Sequence, residues 1–310
     1  MIIKGLSRSK FEEQVLNEDA CSFGQNYLAV SDGAGGGGIF AERWSQYLVQ
    51  HVTESSMLSF TELNEWIDSI WEKFYNEQEQ SAIQKGGMIL QKFYDEGSFA
   101  TLAAAWITKN KFNWITYGDS VVFHYNRKSK KMDHSFTCLK DFASAPYLIN
   151  WKDELSEGGF KYGTFPLDKD SILLLASDTL SQYILMMYLL CNPSLEHDNE
   201  INEVINSHFK LSKNISMAQL YIKEAKLEFE KNILYPLINS LSSEEAFSKY
   251  LKGLYESGLL GYDDYSLAIG INELTNELSS ERKWKRIPRK LKKLQKKENK
   301  IRKQKVKSLI

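Results

Sequence analysis

The spacing of hydrophobic and polar residues changes period several times along this chain, and each change marks an element. Tyr27-Leu28-Ala29-Val30-Ser31 predicts a strand that stops at Asp32-Gly33, and the glycines from Gly35 to Gly38 predict a sharp turn after it. Ala41, Trp44, Leu48 and Val52 then recur at three- and four-residue intervals, the pattern of a helix with one buried face. Ser59 with Glu62 reads as a capping box that opens a second helix, with the apolar stripe Leu63, Trp66, Ile67, Ile70, Trp71 and Phe74. Beyond it the period changes. Ser98 to Ile107, Phe112 to Thr116 and Val121 to Tyr125 predict three strands, separated by Lys109-Asn110-Lys111 and by Gly118-Asp119-Ser120. Turns this tight imply antiparallel pairing.

The run Ser171 to Ala176 is continuously apolar and predicts a strand covered on both faces. Helical spacing returns over Leu180–Leu190, Glu200–Phe209, Met217–Leu234 and Glu244–Tyr255, and Ser266 to Ile271 predicts a last strand. Helices after the first strand, a block of antiparallel strands, more helices and a closing strand describe an α+β layered sandwich.

Composition narrows the class. The chain has 310 residues, 43% hydrophobic and 25% charged, with only 5 prolines and therefore no proline-rich linker to divide it. The formal net charge of -1 conceals two opposed segments. Residues 281–310 carry 15 Lys and Arg against Glu281 and Glu298, a net of +13, which leaves -14 on the rest. The expected organisation is one domain over residues 1–275, with a helical insertion or flap over 180–260 and a basic tail over 281–310. Within the tail, Trp284, Ile287, Leu291, Leu294 and Ile301 are spaced along a basic helical pattern after Pro288. Such a segment suits an anionic membrane surface, nucleic acid or an acidic protein partner, or is simply solvated.

Cys21, Cys138 and Cys191 lack C-x-x-C spacing and suit free thiols in a reducing cytoplasm. Met1-Ile2-Ile3-Lys4-Gly5 predicts no secretory signal, and the apolar run Tyr183–Cys191 is shorter than the roughly 18 residues of a membrane span. The expected location is the cytoplasm. His51, His124, His134, His197 and His208 show neither an H-E-x-x-H motif nor paired spacing, and Gly33–Gly38 lacks the Gly-Lys-Ser/Thr of a nucleotide-binding loop.

The chemistry-bearing signal is a series of aspartates at strand borders. Asp32 ends the first predicted strand, Asp119 separates two others, Asp178 follows Leu173-Leu174-Leu175-Ala176-Ser177, and Asp263 with Asp264 opens the last. Asp19, in Asn17-Glu18-Asp19-Ala20, adds another. Aspartate is also a common turn and cap residue, so each taken singly has a structural reading. Taken together they raise a different question, because two carboxylates about 4 Å apart repel by roughly 4 kcal/mol at an effective dielectric near 20. A converging set calls for a hard divalent cation such as Mg²⁺ or Mn²⁺.

The motifs Asn17-Glu18-Asp19-Ala20, Ala29-Val30-Ser31-Asp32-Gly33-Ala34-Gly35-Gly36, Gly118-Asp119-Ser120, Leu174-Leu175-Ala176-Ser177-Asp178 and Asp263-Asp264-Tyr265-Ser266-Leu267 occur in this order. The series resembles the metal-dependent serine/threonine protein phosphatases of type 2C, bacterial members in particular, over residues 1 to about 271. The resemblance implies a four-layer αββα sandwich, two mostly antiparallel sheets flanked by helices. It implies two Mn²⁺ or Mg²⁺ ions, with a third, weaker one in some states. Asp32 and the Gly33 carbonyl, Asp178 and Asp263 would be ligands, with Asp264 beside them, Asp19 acting on the metal-bound water and Asp119 serving the third ion. A metal-bridging water would attack phosphoserine or phosphothreonine in a protein substrate, opposing a Ser/Thr kinase.

This chain departs from the family at several positions. Gln14 stands where an arginine often holds the phosphate, leaving Arg8 or Lys10 as alternatives. Ala34 replaces a frequent histidine, Thr179 a glycine, Val121 an arginine and Asp264 an asparagine. Two other functions therefore compete with protein dephosphorylation, a phosphatase for a small phosphorylated metabolite and a catalytically weak regulatory binding module.

Overall fold

The computed structural model describes residues 1–11, 15–36, 38–207 and 209–272. The basic tail and Gln14 lie outside the described residues. The chain divides into two compact units, one formed by Met1–Gln182 with Tyr262–Glu273 and the other containing Tyr183–Gly261.

The first unit carries twelve described strands: β1 (Ile2–Arg8), β2 (Asp19–Phe23), β3 (Tyr27–Asp32), β4 (Phe99–Ala100), β5 (Leu102–Ile107), β6 (Lys111–Tyr117), β7 (Val121–Asn126), β8 (Lys131–His134), β9 (Ile149–Asn150), β10 (Phe160–Pro166), β11 (Ser171–Ala176) and β12 (Tyr265–Ile271). One five-stranded sheet has the order β1-β12-β11-β7-β8, a second has β10-β6-β5-β3-β2, and β4 pairs with β9 apart from both. The described pairings within these sheets are antiparallel.

Side-chain alternation sets the layers. Leu28 and Val30 of β3, Ala103 and Ala105 of β5, and Phe112 and Trp114 of β6 face Val122, Leu173, Leu175 and Ala268 of the other sheet in one core. Ala29 of β3, Leu102, Ala104 and Trp106 of β5, and Ile115 of β6 point the other way. That second core also holds Trp44 and Leu48 of α1 (Ala41–His51) and Leu63, Ile67 and Phe74 of α2 (Phe60–Lys85). The result is an α+β fold of two antiparallel sheets flanked by helices. α2 begins where its capping box predicts: the Ser59 hydroxyl accepts the Glu62 N–H at 3.1 Å, and Glu62 Oε2 accepts the Ser59 N–H at 2.9 Å. A short helix, α3 (Gly87–Asp95), follows α2.

The chain passes between units inside α4 (Asp178–Cys191). The second unit continues with α5 (Leu195–Asn206), α6 (Ser212–Ala225), α7 (Tyr235–Ser240) and α8 (Glu244–Glu256). Here the single helix expected over Met217–Leu234 is broken. α6 ends at Ala225, Lys226 takes the left-handed conformation at φ 49°, and a π-helical turn, Phe229–Leu234, leads into α7. Leu227, Phe229, Ile233 and Leu234 are all buried, which one straight helical stripe does not achieve, and Pro236 in the first turn of α7 marks a new helix start.

Two substitutions separate core packing from local capping. Leu175→Ala, at a fully buried position between the sheets, should lower stability by about 2–5 kcal/mol. Ser59→Ala, which removes only the cap, should cost about 1 kcal/mol. Denaturant midpoints of the two variants against the parent chain check both values.

Candidate metal centre

Strand ends decide where the aspartates go. Asp19 and Asp32 are direct cross-strand partners in the β2–β3 ladder, so their side chains start within about 6 Å of each other. Asp178 follows β11 and Asp263 precedes β12, and these strands pair through Ala176 and Leu267, which puts both residues at one end of the first sheet. The sheets meet at this end. Ser177 hydrogen-bonds the Asp19 carboxyl, while its Oγ accepts the Ser266 N–H at 3.0 Å.

Asp19 is 5% exposed, and its Oδ2 is buried without a hydrogen-bond partner. Desolvation first, and then Asp178, Asp264 and Asp263, push its carboxyl well above the usual carboxylate range. Asp32 is partly exposed and is raised likewise, by desolvation and then by Asp19, Asp178, Asp119 and Asp263. All six predicted aspartates therefore belong to one electrostatic neighbourhood. Among the described residues, however, no three side chains of His, Cys, Asp or Glu are drawn together tightly enough to close on one ion. Asp178 illustrates why: its Oδ1 accepts the N–H of Thr179 in its own helix, and its Oδ2 accepts Gln182 Nε2 at 3.3 Å. Mutually repelling carboxylates turn to whatever donors lie near, and a helix N-terminus is one.

The backbone around Asp32 is fixed by small polar side chains. Thr101 Oγ1 accepts the Asp32 N–H at 3.1 Å, and Ser31 Oγ donates to the Thr101 carbonyl at 2.6 Å. Ser120, next to Asp119, meets the Thr101 hydroxyl at 2.7 Å. Gly33 donates its N–H to the Glu18 carbonyl at 3.0 Å and forms a bridge with Ala100. A Cβ there would stand 2.6 Å from that carbonyl, so no other residue fits this approach. Gly118, at φ 96°, turns the chain into Asp119.

Asp264 is engaged differently from its neighbours. Its two oxygens accept the backbone N–H groups of Lys10 at 2.8 Å and Glu18 at 2.7 Å, which fastens the segment before β2 to the start of β12. Lys10 also places its ammonium 3.5 Å from Asp263 and 4.0 Å from Glu18. Burial acts to lower the Lys10 pKa, but Asp263, Asp264 and Glu18 outweigh it and hold the ammonium above its ordinary value. Burial leads in raising Glu18, against the pull of Lys10. Thr179 donates to Asp263 at 3.4 Å and so links the two loops. Arg8, by contrast, ends β1 as an exposed residue opposite Tyr265.

Sequence reasoning did not single out Thr101, Ser120 or Ser177 as supports, although Ser120 and Ser177 stand next to the motif aspartates Asp119 and Asp178. The donor set has the chemistry of a hard-cation site: oxygen ligands, several negative charges and one buried carboxylate oxygen without a protein partner.

Because Asp19 and Asp32 have raised pKa values in the folded chain, the folded state binds more protons than the unfolded one. Their penalty is absent below the ordinary carboxylate range and grows as pH rises through it and beyond. Metal-free protein should therefore melt at lower temperature at pH 7.5 than at pH 5. Asp32→Asn should recover part of that loss, and each 1 kcal/mol shifts the midpoint by about 2–4 °C at this size. Scanning calorimetry in chelator at both pH values checks the sign.

No family model matches this chain, and no curated protein does. Solved structures do. The serine/threonine phosphatase Stp1 from Staphylococcus aureus aligns at 13% identity over 88% of this chain and 96% of its own, with a TM-score of 0.46. The Mycobacterium tuberculosis phosphatase PstP/Ppp aligns at 14% identity over 88% of this chain and 100% of its own, also at 0.46. A catalytic domain of PstP solved in complex with two manganese ions aligns at 15% identity over 86% of this chain and 96% of its own, at a TM-score of 0.44. Over most of its length, the chain is similar to solved bacterial serine/threonine phosphatases.

Proposed function

We propose that this chain is a metal-dependent phosphatase that hydrolyses phosphoserine and phosphothreonine in proteins, opposing a cytoplasmic Ser/Thr kinase. The observation that carries the reading is the placement of Asp19 directly across from Asp32, with Asp178 and Asp263 in the same electrostatic neighbourhood and Asp19 Oδ2 buried without a partner. Asp32, the Gly33 carbonyl, Asp178 and Asp263 would hold two divalent cations, Mn²⁺ or Mg²⁺, and Asp119 would serve a third. Such a cation pair supplies a strong oxygen nucleophile at neutral pH and positive charge against the phosphate.

The protein's own part is positional. Thr101 and the Gly33 approach fix Asp32, and Thr179 couples the Asp178 loop to Asp263. Ligation requires Asp178 to exchange its helix-capping contacts for an ion. Asp19 is the group placed to take a proton from water at Oδ2. Side-chain nucleophiles are poorly suited here. Burial pushes the Cys21 and Cys191 thiols up to about 12, where thiolate is scarce at neutral pH, and it raises Cys138 as well.

Turnover of p-nitrophenyl phosphate and of a phosphothreonine peptide should require Mn²⁺ or Mg²⁺ and stop in EDTA. Asp32→Asn and Asp178→Asn should each lower turnover by orders of magnitude. Full activity in chelator would end the proposal. The replaced phosphate-site residues, Gln14 and Ala34, favour a second reading, a weakly catalytic binding module. Tight Mn²⁺ binding without turnover of either substrate is the result that selects it.

The +13 tail is proposed to bring the enzyme to an anionic surface or acidic partner without entering the chemistry. Removing residues 281–310 should leave ester turnover unchanged and weaken binding to anionic vesicles. The difference should shrink as salt rises, since exposed charges are screened over about 10 Å at 0.1 M. Vesicle co-sedimentation across a salt series measures it.

A further inference from the structure

Lys10, one of the two cations left as alternatives for the phosphate arginine, is instead bound to the acids of the site twice. Its backbone N–H is fixed on Asp264 Oδ1 at 2.8 Å, and its ammonium lies 3.5 Å from Asp263 Oδ1 and 4.0 Å from Glu18 Oε2. The backbone contact matters because it holds the root of the side chain in place whichever way the ammonium points. The side chain is 25% exposed, so the charge is neither free in solvent nor sealed away. Asp263 meets Thr179 and Lys10 in the arrangement described, and the ammonium neutralises it in place. A dication that used Asp263 as a ligand would meet a like charge a few ångströms away, and it would have to take the carboxylate from a cation already seated there.

We propose that Lys10 is a tethered competitor for the metal position at Asp263: it holds the carboxylate when no divalent cation is bound, gives it up when one binds, and so raises the metal concentration at which the site fills. The proposal rests on the metal-site reading above. It makes occupancy a graded response to divalent-ion supply, set by a residue outside the ligand set. Because the ammonium is anchored through its own backbone, release does not carry it away from the site. Substitution at position 10 should thus change metal affinity through charge, while Asp264 keeps its N–H donor.

The test is calorimetric titration of MnCl₂ into chelator-stripped full-length protein, comparing the parent chain with Lys10→Met and Lys10→Arg. Lys10→Met should bind Mn²⁺ about two- to fivefold more tightly, the factor expected for one ion pair at this exposure. Lys10→Arg, which keeps the charge, should stay close to the parent. Equal or weaker binding by Lys10→Met, with the parent binding normally, overturns the role of Lys10 and leaves the metal site standing. Absence of Mn²⁺ binding in every variant overturns the metal-site reading and this inference with it. A second measurement needs no variant: limited acylation of the parent chain, read by mass spectrometry. Labelling of Lys10, normalised to the exposed Lys109, should rise at least about twofold on Mn²⁺ saturation as Asp263 releases the ammonium. Unchanged or reduced labelling contradicts the competition.

Discussion

Carboxylates of like charge held at the ends of buried strands are the constraint on which this structure turns. Asp19 and Asp32 face each other across a β ladder whose interior is apolar, and neither can move away without breaking the pairing of β2 with β3. Burial and mutual repulsion act in the same direction and push both groups toward the protonated form. A protein gains no stability from such an arrangement by itself. Natural chains tolerate local strain of this kind at sites where a ligand relieves it.

The surroundings of the acids follow from that constraint. Most described donors around the acids are uncharged: the hydroxyls of Ser31, Thr101, Ser120, Ser177 and Thr179, the Gln182 amide, and backbone N–H groups. They fix loops without neutralising charge, which leaves the negative potential in place for a cation. Asp264 shows the contrast. Both of its oxygens are used on backbone N–H groups, so it acts as a fastener between the segment before β2 and the start of β12. Lys10 is the exception among these donors, since it brings a full positive charge to Asp263.

The same reasoning bears on the proposed phosphate hydrolysis. Thiols pushed far above neutral are poor nucleophiles, and the hydroxyls near the acids are occupied in fastening strands. Under the proposed function, carboxylates grouped at one end of the sheets would suit hydrolysis by activated water better than attack by a side chain.

The sequence by itself determined the middle of each sheet. β3, β5, β6, β7, β11 and β12 were all legible as apolar runs, and these six are the interior strands of the two sheets. The four long strands with no clear signal, β1, β2, β8 and β10, are the edges. An edge strand is partly solvated, so its composition is mixed and its pattern weak. The candidate aspartates were legible for the same reason as the interior strands, because a carboxylate standing just beyond an apolar run is conspicuous. Their order also carried the family resemblance. Tertiary structure alone decided that Asp19 lies across from Asp32, that Asp264 spends its oxygens on the backbone, and that Lys10 reaches Asp263 across 253 positions of chain. It also decided the break at Lys226, where four apolar side chains needed burial that one straight helix could not give them. Contacts between distant segments depend on how strands pair and where loops return, and no local period encodes that.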